Sequence, residues 1–184
     1  MKTALLISIP PEWAEKILNG KKTIEIRSWI PKDYVGWVYV AIAKDNYKNH
    51  LYKKDGVWTL TDKHIYHYPY KNICGKVAFR FWYEKVEKVI MRPIWGEWEA
   101  YGEETDFINL SKKSCLTQKE IMKYLKGKVG YAWHIDKLEI FDKPKELSEF
   151  KTVVHYPKNI IQIYLDYKPL TKAPQKCVWV YTKE

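Results

Sequence analysis

The chain is poor in cysteine: Cys74, Cys115 and Cys177 are three, an odd and widely spaced set that argues against a disulfide scaffold. There is no basic N-terminal region followed by an apolar run and a cleavage site, and no apolar stretch approaches the roughly 20 residues a membrane-spanning helix needs. A reduced, cytoplasmic protein without a membrane partner is expected. Metal ligands are sparse as well. His64, His67 and Cys74 share one stretch, but no fourth ligand lies at a recognisable spacing, and the residues between are tyrosine-rich and strand-like. Neither a metal nor a cofactor is expected. Acidic side chains are in deficit: 22 Asp and Glu face 32 Lys and Arg, for a formal charge of +10 and a pI near 9.3. That balance favours polyanionic partners, nucleic acid above all, through counterion release. The positive charges are scattered along the chain rather than gathered into one block.

Aromatic residues are abundant instead. Nine Trp and fifteen Tyr bring the aromatic share to 16%, more than a core alone would use. Rings interleaved with basic residues can stack on bases, at about 1–3 kcal/mol per base. Most of these rings are nevertheless expected to fill a small barrel and cover its edges. A length of 184 residues suits one domain with a sizeable core.

The densest pattern is Gly20-Lys21-Lys22-Thr23-Ile24-Glu25-Ile26-Arg27. Upstream, Pro10-Pro11 reads as a helix start, Trp13, Ile17 and Leu18 form an apolar stripe, and Asn19-Gly20 is a stop. Beyond the glycine, Ile24 and Ile26 alternate with Thr23, Glu25 and Arg27, so a strand would bury the isoleucines and present the polar residues together. As an exposed ion pair, Glu25 and Arg27 would contribute only about 0–1 kcal/mol. As a site, Lys21, Lys22 and Arg27 offer phosphate-binding charge, and Glu25 offers an acceptor.

The remaining pattern is mostly strand. Val35 to Ala43 is apolar on both faces, and Val77, Phe79 and Phe81 alternate with Lys76, Arg80 and Trp82 after Gly75. Between them, residues 44–72 read as an insertion, with Asp55-Gly56 closing a hairpin from about Asn49 to Leu60. Thr117-Gln118-Lys119-Glu120 has capping-box form ahead of a helix with Ile121, Met122 and Leu125 on its apolar stripe. Val129 to Phe141 reads as a strand with Tyr131, Trp133 and Ile135 on one face. After residue 150, Asn159 to Tyr167 and Cys177 to Tyr181 read as strands of a C-terminal hairpin, punctuated by Pro169 and Pro174.

The order of these segments resembles the ASCH-domain family, a branch of the PUA-like superfamily of small β-barrels. The resemblance rests on Gly-x-Lys-x-x-Glu-x-Arg at 20–27, the opening Ala4-Leu5-Leu6-Ile7-Ser8-Ile9, the central Gly75-Lys76-Val77, the late Gly130-Tyr131-Ala132-Trp133-His134-Ile135 and the closing Pro144-Lys145-Glu146-Leu147-Ser148-Glu149-Phe150. It implies an α+β fold: a small PUA-like mixed β-barrel with flanking short helices, an inserted hairpin and a C-terminal hairpin. The barrel domain would occupy residues 1–150, with 151–184 a strand extension packed on it. Lys172-Ala173-Pro174-Gln175-Lys176 resembles tails of phage and prophage members, which implies a mobile-element origin.

The family resemblance makes RNA, or a nucleotide or modified nucleobase, the expected ligand, held in a cleft between the N-terminal helix and the barrel. Lys21 and Lys22 would hold phosphate, Arg27 a phosphate or base edge, Glu25 an amino group, and Trp29 or Trp133 would stack on the base. An alternative is an amidohydrolase of acylated cytidine nucleosides. There Lys22 matches the family lysine, while Glu25 stands where those enzymes carry threonine. With Glu25 as general base and Lys22 stabilising an oxyanion, the chemistry could be rebuilt. Ribonuclease activity and a phage-type interaction protein that inhibits a host partner complete the alternatives.

Overall fold

A computed structural model describes residues 2–44, 49–62, 71–94, 96–153, 167–174 and 177–182. His64, His67, Gln175, Lys176 and nearly all of the expected strand from Asn159 lie outside the described residues. In chain order the elements are β1 (Lys2–Ile9), α1 (Pro11–Leu18), β2 (Ile24–Arg27), β3 (Gly36–Ile42), β4 (Asn49–Lys54) and β5 (Val57–Asp62). There follow β6 (Val77–Tyr83), β7 (Val86–Ile94), β8 (Glu97–Gly102), α2 (Phe107–Ser114), α3 (Gln118–Leu125) and β9 (Gly130–His134). The last are β10 (Asp136–Lys145), a 3-10 turn (Leu147–Glu149), β11 (Lys151–Val153), β12 (Tyr167–Pro169) and β13 (Val178–Thr182). The α+β class expected from the pattern is what forms.

The chain divides into two compact units, one of Met1–Glu15, Trp37–Arg80 and Glu139–Glu184, the other of Lys16–Gly36 and Phe81–Leu138. The first is built around a seven-stranded sheet of order β10-β6-β3-β1-β13-β11-β12. β1 runs parallel to β3 with Leu5 opposite Val38, and antiparallel to β13 with Ala4 opposite Val180. Both central strands are buried on both faces, which accounts for their nearly unbroken apolar runs. One face packs Ala4, Leu6, Tyr39, Ala41, Val77 and Val180 against Phe150, with Leu147 and Leu170 at the margin. β11 pairs antiparallel with β12, and the final strand, β13, lies between β1 and β11.

Much of the aromatic and basic interleaving is absorbed here. The Arg80 guanidinium lies 4.2 Å over the Trp37 ring, donates to the Tyr39 hydroxyl at 2.8 Å and pairs with Glu139. The β4–β5 hairpin turns at Asp55-Gly56, where both residues have positive φ, 49° and 84°, as the sequence anticipates. It is packed rather than merely decorating the surface. Leu51, Tyr52 and Trp58 are buried, and the Asn72 side chain accepts from the Leu51 and Cys74 amides.

The second unit holds a four-stranded sheet of order β2-β9-β7-β8. Ile24, Ile26, Val89, Ala100 and Ala132 of that sheet pack against Leu110 of α2 and Ile121 and Leu125 of α3. α3 starts at the expected capping box, Thr117 Oγ1 accepting from the Glu120 amide and the Glu120 carboxylate accepting from the Thr117 amide. α2 was not expected from the sequence. Asp106 caps it by accepting from the Asn109 amide at 2.9 Å, and Cys115 in the left-handed conformation ends it. The expected single strand over Val129–Phe141 is two. The chain breaks at Ile135, Lys137 takes a φ of 44°, and β9 and β10 join different sheets.

Removing the α3 cap by Thr117→Ala is expected to cost about 1 kcal/mol, and hollowing the core by Leu110→Ala about 2–5 kcal/mol. Urea unfolding followed by far-ultraviolet circular dichroism measures both. Equal losses for the two variants would contradict the burial assigned to Leu110.

Candidate functional site

The start of β2 is positioned by main-chain bonds to two other segments. After α1 the chain winds tightly onto Lys16, whose carbonyl accepts from the Lys21 and Lys22 amides at 2.8 and 3.0 Å. Gly20 makes that winding at φ 71°, a conformation glycine adopts without Cβ strain. The Thr23 amide then donates to the Lys113 carbonyl at 2.8 Å, fixing the strand's start to the end of α2. Within the strand, Ile24 and Ile26 enter the core against α2 and α3 as the alternation requires.

The opposite face is not the open polar face that the alternation suggested. Lys22 is 2% exposed and Glu25 8%. The Glu25 carboxylate is shared: Lys22 Nζ is 3.3 Å from one oxygen and Arg27 Nη2 3.0 Å from the other. Lys22 Nζ also donates to the Ser114 carbonyl, at 2.7 Å, near the C-terminus of α2. Carbonyls there carry partial negative charge, which suits an ammonium. Burial pushes the Lys22 ammonium below the ordinary lysine range, against the opposing pull of Glu25.

Of the residues expected at a site, Lys22, Glu25 and Arg27 come together. Lys21 is exposed, and its carbonyl accepts from the Cys115 thiol at 3.4 Å. Trp133 sits directly opposite Glu25 across the β2–β9 ladder. It is fully buried, with Trp29 edge-on at a centroid distance of 5.9 Å and Tyr83 at 4.8 Å. Its indole Nε1–H has no hydrogen-bond partner, an arrangement that costs about 1–3 kcal/mol. Trp29, 36% exposed, is the ring a ligand can reach. Sequence reasoning missed Ser114, since the helix that delivers its carbonyl was itself missed; Asp106 followed three residues later by Asn109 was the available signal.

A second polar cluster lies on the core-facing side of β7 and β9. Glu87, 2% exposed, accepts from Thr105 Oγ1 at 2.7 Å and from the Glu104 amide at 2.9 Å, and its carboxylate meets His134 Nε2. Burial alone would raise this carboxyl. The bonds from Thr105, Glu104 and His134 outweigh it and hold the group below its usual range. Gly102 is required beside it, because a Cβ there would come within 2.5 Å of the carboxylate. Among the described residues no group of three or more His, Cys, Asp or Glu side chains could hold a metal ion, and no helix is long and apolar enough to cross a membrane. Cys74, Cys115 and Cys177 form no disulfide.

Because its folded-state pKa is lowered from 4.5, Glu87 contributes stability above about pH 4.5 that is lost as pH falls through the lower folded value. Glu87→Gln is therefore expected to cost about 1–3 kcal/mol at pH 7. The gap from wild type should narrow in acid. Urea midpoints measured between pH 3 and 7 would show it, and a gap that widened in acid would contradict the assignment.

The family model of the ASCH domain matches residues 7–145. Among solved structures, the crystal structure of ASCH from Zymomonas mobilis is similar at a TM-score of 0.53 and 16% identity, covering 97% of this chain and 87% of that one. A point variant of the Zymomonas mobilis protein gives a TM-score of 0.51 at 16% identity, covering 97% and 88%. These similarities establish a shared PUA-like fold. No curated protein matches the chain by sequence.

Proposed function

The chain belongs to the ASCH-domain family, whose PUA-like fold is associated with RNA binding, and we propose that it binds RNA, or a nucleotide or modified nucleobase, at the Lys22–Glu25–Arg27 cluster. The observation that carries this reading is the concentration of two cationic side chains on one buried carboxylate, where solvent is largely excluded. Such a concentration of cationic groups favours an anion or an electron-rich edge. Arg27 suits phosphate or the O6 and N7 edge of guanine, which its planar fork can engage bidentately. Glu25 can accept from an exocyclic amino group. Trp29 supplies a ring for stacking.

One observation favours a second reading, hydrolysis of an acylated cytidine. Lys22 has its ammonium depressed by burial and lies beside a carboxylate, the environment in which lysines and glutamates move protons or stabilise an oxyanion. Glu25 would then activate water, and Lys22 would stand against the developing charge.

The test is fluorescence anisotropy of a labelled single-stranded RNA with wild type, Arg27→Lys and Trp29→Ala. Wild-type affinity is expected to fall steeply with salt, and each variant to bind about tenfold or more weakly. Affinity unchanged in both variants would remove the cluster from RNA recognition. Mass spectrometry of acetylated cytidine incubated with wild type and Glu25→Gln tests hydrolysis, for which product from wild type alone is the expected signature.

A further inference from the structure

The first unit contains a cavity of about 540 Å³ that lies apart in sequence from the Lys22 cluster and has no part in the function proposed above. Four stretches build it: Lys44 just beyond β3, the turn Cys74-Gly75-Lys76 before β6, residues 146–148 at the 3-10 turn, and residues 169–173 from the end of β12 onward. Main-chain bonds hold these walls. The Ile42 amide donates to the Lys76 carbonyl at 2.9 Å, the Gly75 amide to the Ile42 carbonyl at 2.8 Å, and the Leu170 amide to the Phe150 carbonyl at 2.9 Å. The cavity is therefore part of the sheet's own framework.

Its chemistry is two-sided. Among the described residues, Lys44, Lys76 and Lys172 line it together with one carboxylate, Glu146, which contacts Lys76 Nζ. The described lining carries a formal excess of two positive charges. Hydroxyls of Ser148 and Thr171 add donors, while Leu147, Leu170 and Ala173 provide an apolar wall continuous with the core. A phosphoryl group carries a charge of about −1.5 to −2 at pH 7 and accepts several hydrogen bonds. Lysines bind it as point charges without needing a planar fork. The volume lies within the range of small-molecule pockets, roughly 300–1,000 Å³.

We propose that this cavity is a binding site for a small phosphorylated ligand of nucleotide size, its phosphate among Lys44, Lys76 and Lys172 and its less polar body against Leu147 and Leu170. The site carries its own reporter. Cys74 lines the cavity, whereas the Cys115 thiol lies against the Lys21 carbonyl beside the Lys22 cluster. The two thiols therefore read the two sites separately.

The experiment is peptide-mapped alkylation by iodoacetamide, with uridine 5′-monophosphate, uridine, inorganic phosphate and a short single-stranded RNA as probes. The monophosphate is expected to slow alkylation of Cys74 at least fivefold, inorganic phosphate to do so at higher concentration, and uridine not at all. Lys44→Gln/Lys172→Gln, which alters two exposed side chains, should abolish that protection while keeping the wild-type melting temperature. Equal protection in the double variant, protection by uridine alone, or protection only by RNA would overturn the proposal. Slowing confined to Cys115 would also overturn it while leaving RNA binding at the Lys22 cluster standing. Protection of Cys74 with no effect at Cys115 would support it whatever the fate of that cluster.

Discussion

The second unit depends on the burial of β2 on both faces. Ile24 and Ile26 face the two helices, so the strand's other side must hold Glu25 and Arg27 beside Lys22 without open water. A lone buried carboxylate or ammonium would be intolerable there. Sharing one carboxylate between two cations, with a helix-end carbonyl accepting from the lysine, makes the arrangement tolerable. Breaking one partner of such a group is costly because the others stay buried. The main-chain anchors at Lys16 and Lys113 follow from the same need, since the side chains meet only if the strand's start is fixed.

The Glu87 cluster solves a related problem differently. Its carboxylate has a hydroxyl, an amide and an imidazole as partners, and Gly102 leaves room for it. Satisfied in this way, it ties β7, β9 and the loop before α2 into one framework. In the Lys22–Glu25–Arg27 group two cations instead meet one carboxylate, beside a buried Trp133 indole N–H that has no hydrogen-bond partner.

In the first unit, among the described residues, three lysines from separate stretches line one cavity with one carboxylate. The net charge of +10 is therefore not spread evenly in its consequences. Arg80 is spent within the fold, over Trp37 and against Glu139, and Lys85 pairs with Glu104 on the surface.

Local signals were legible wherever one short stretch decides the outcome. The stop at Gly20, the Asp55-Gly56 turn, the Thr117 capping box and the core face of β2 each rest on contacts within a few residues or on simple periodicity. The family order of segments was legible for the same reason. What the chain alone did not reveal is long-range. The burial of Glu25 and Lys22, the Ser114 carbonyl 92 residues from its lysine, the splitting of one expected strand between two sheets and the gathering of Lys44, Lys76 and Lys172 all require distant segments to be placed first. Residue type and spacing determine which face a side chain takes; only the tertiary structure decides what covers that face, and with it whether a charge is solvated or buried.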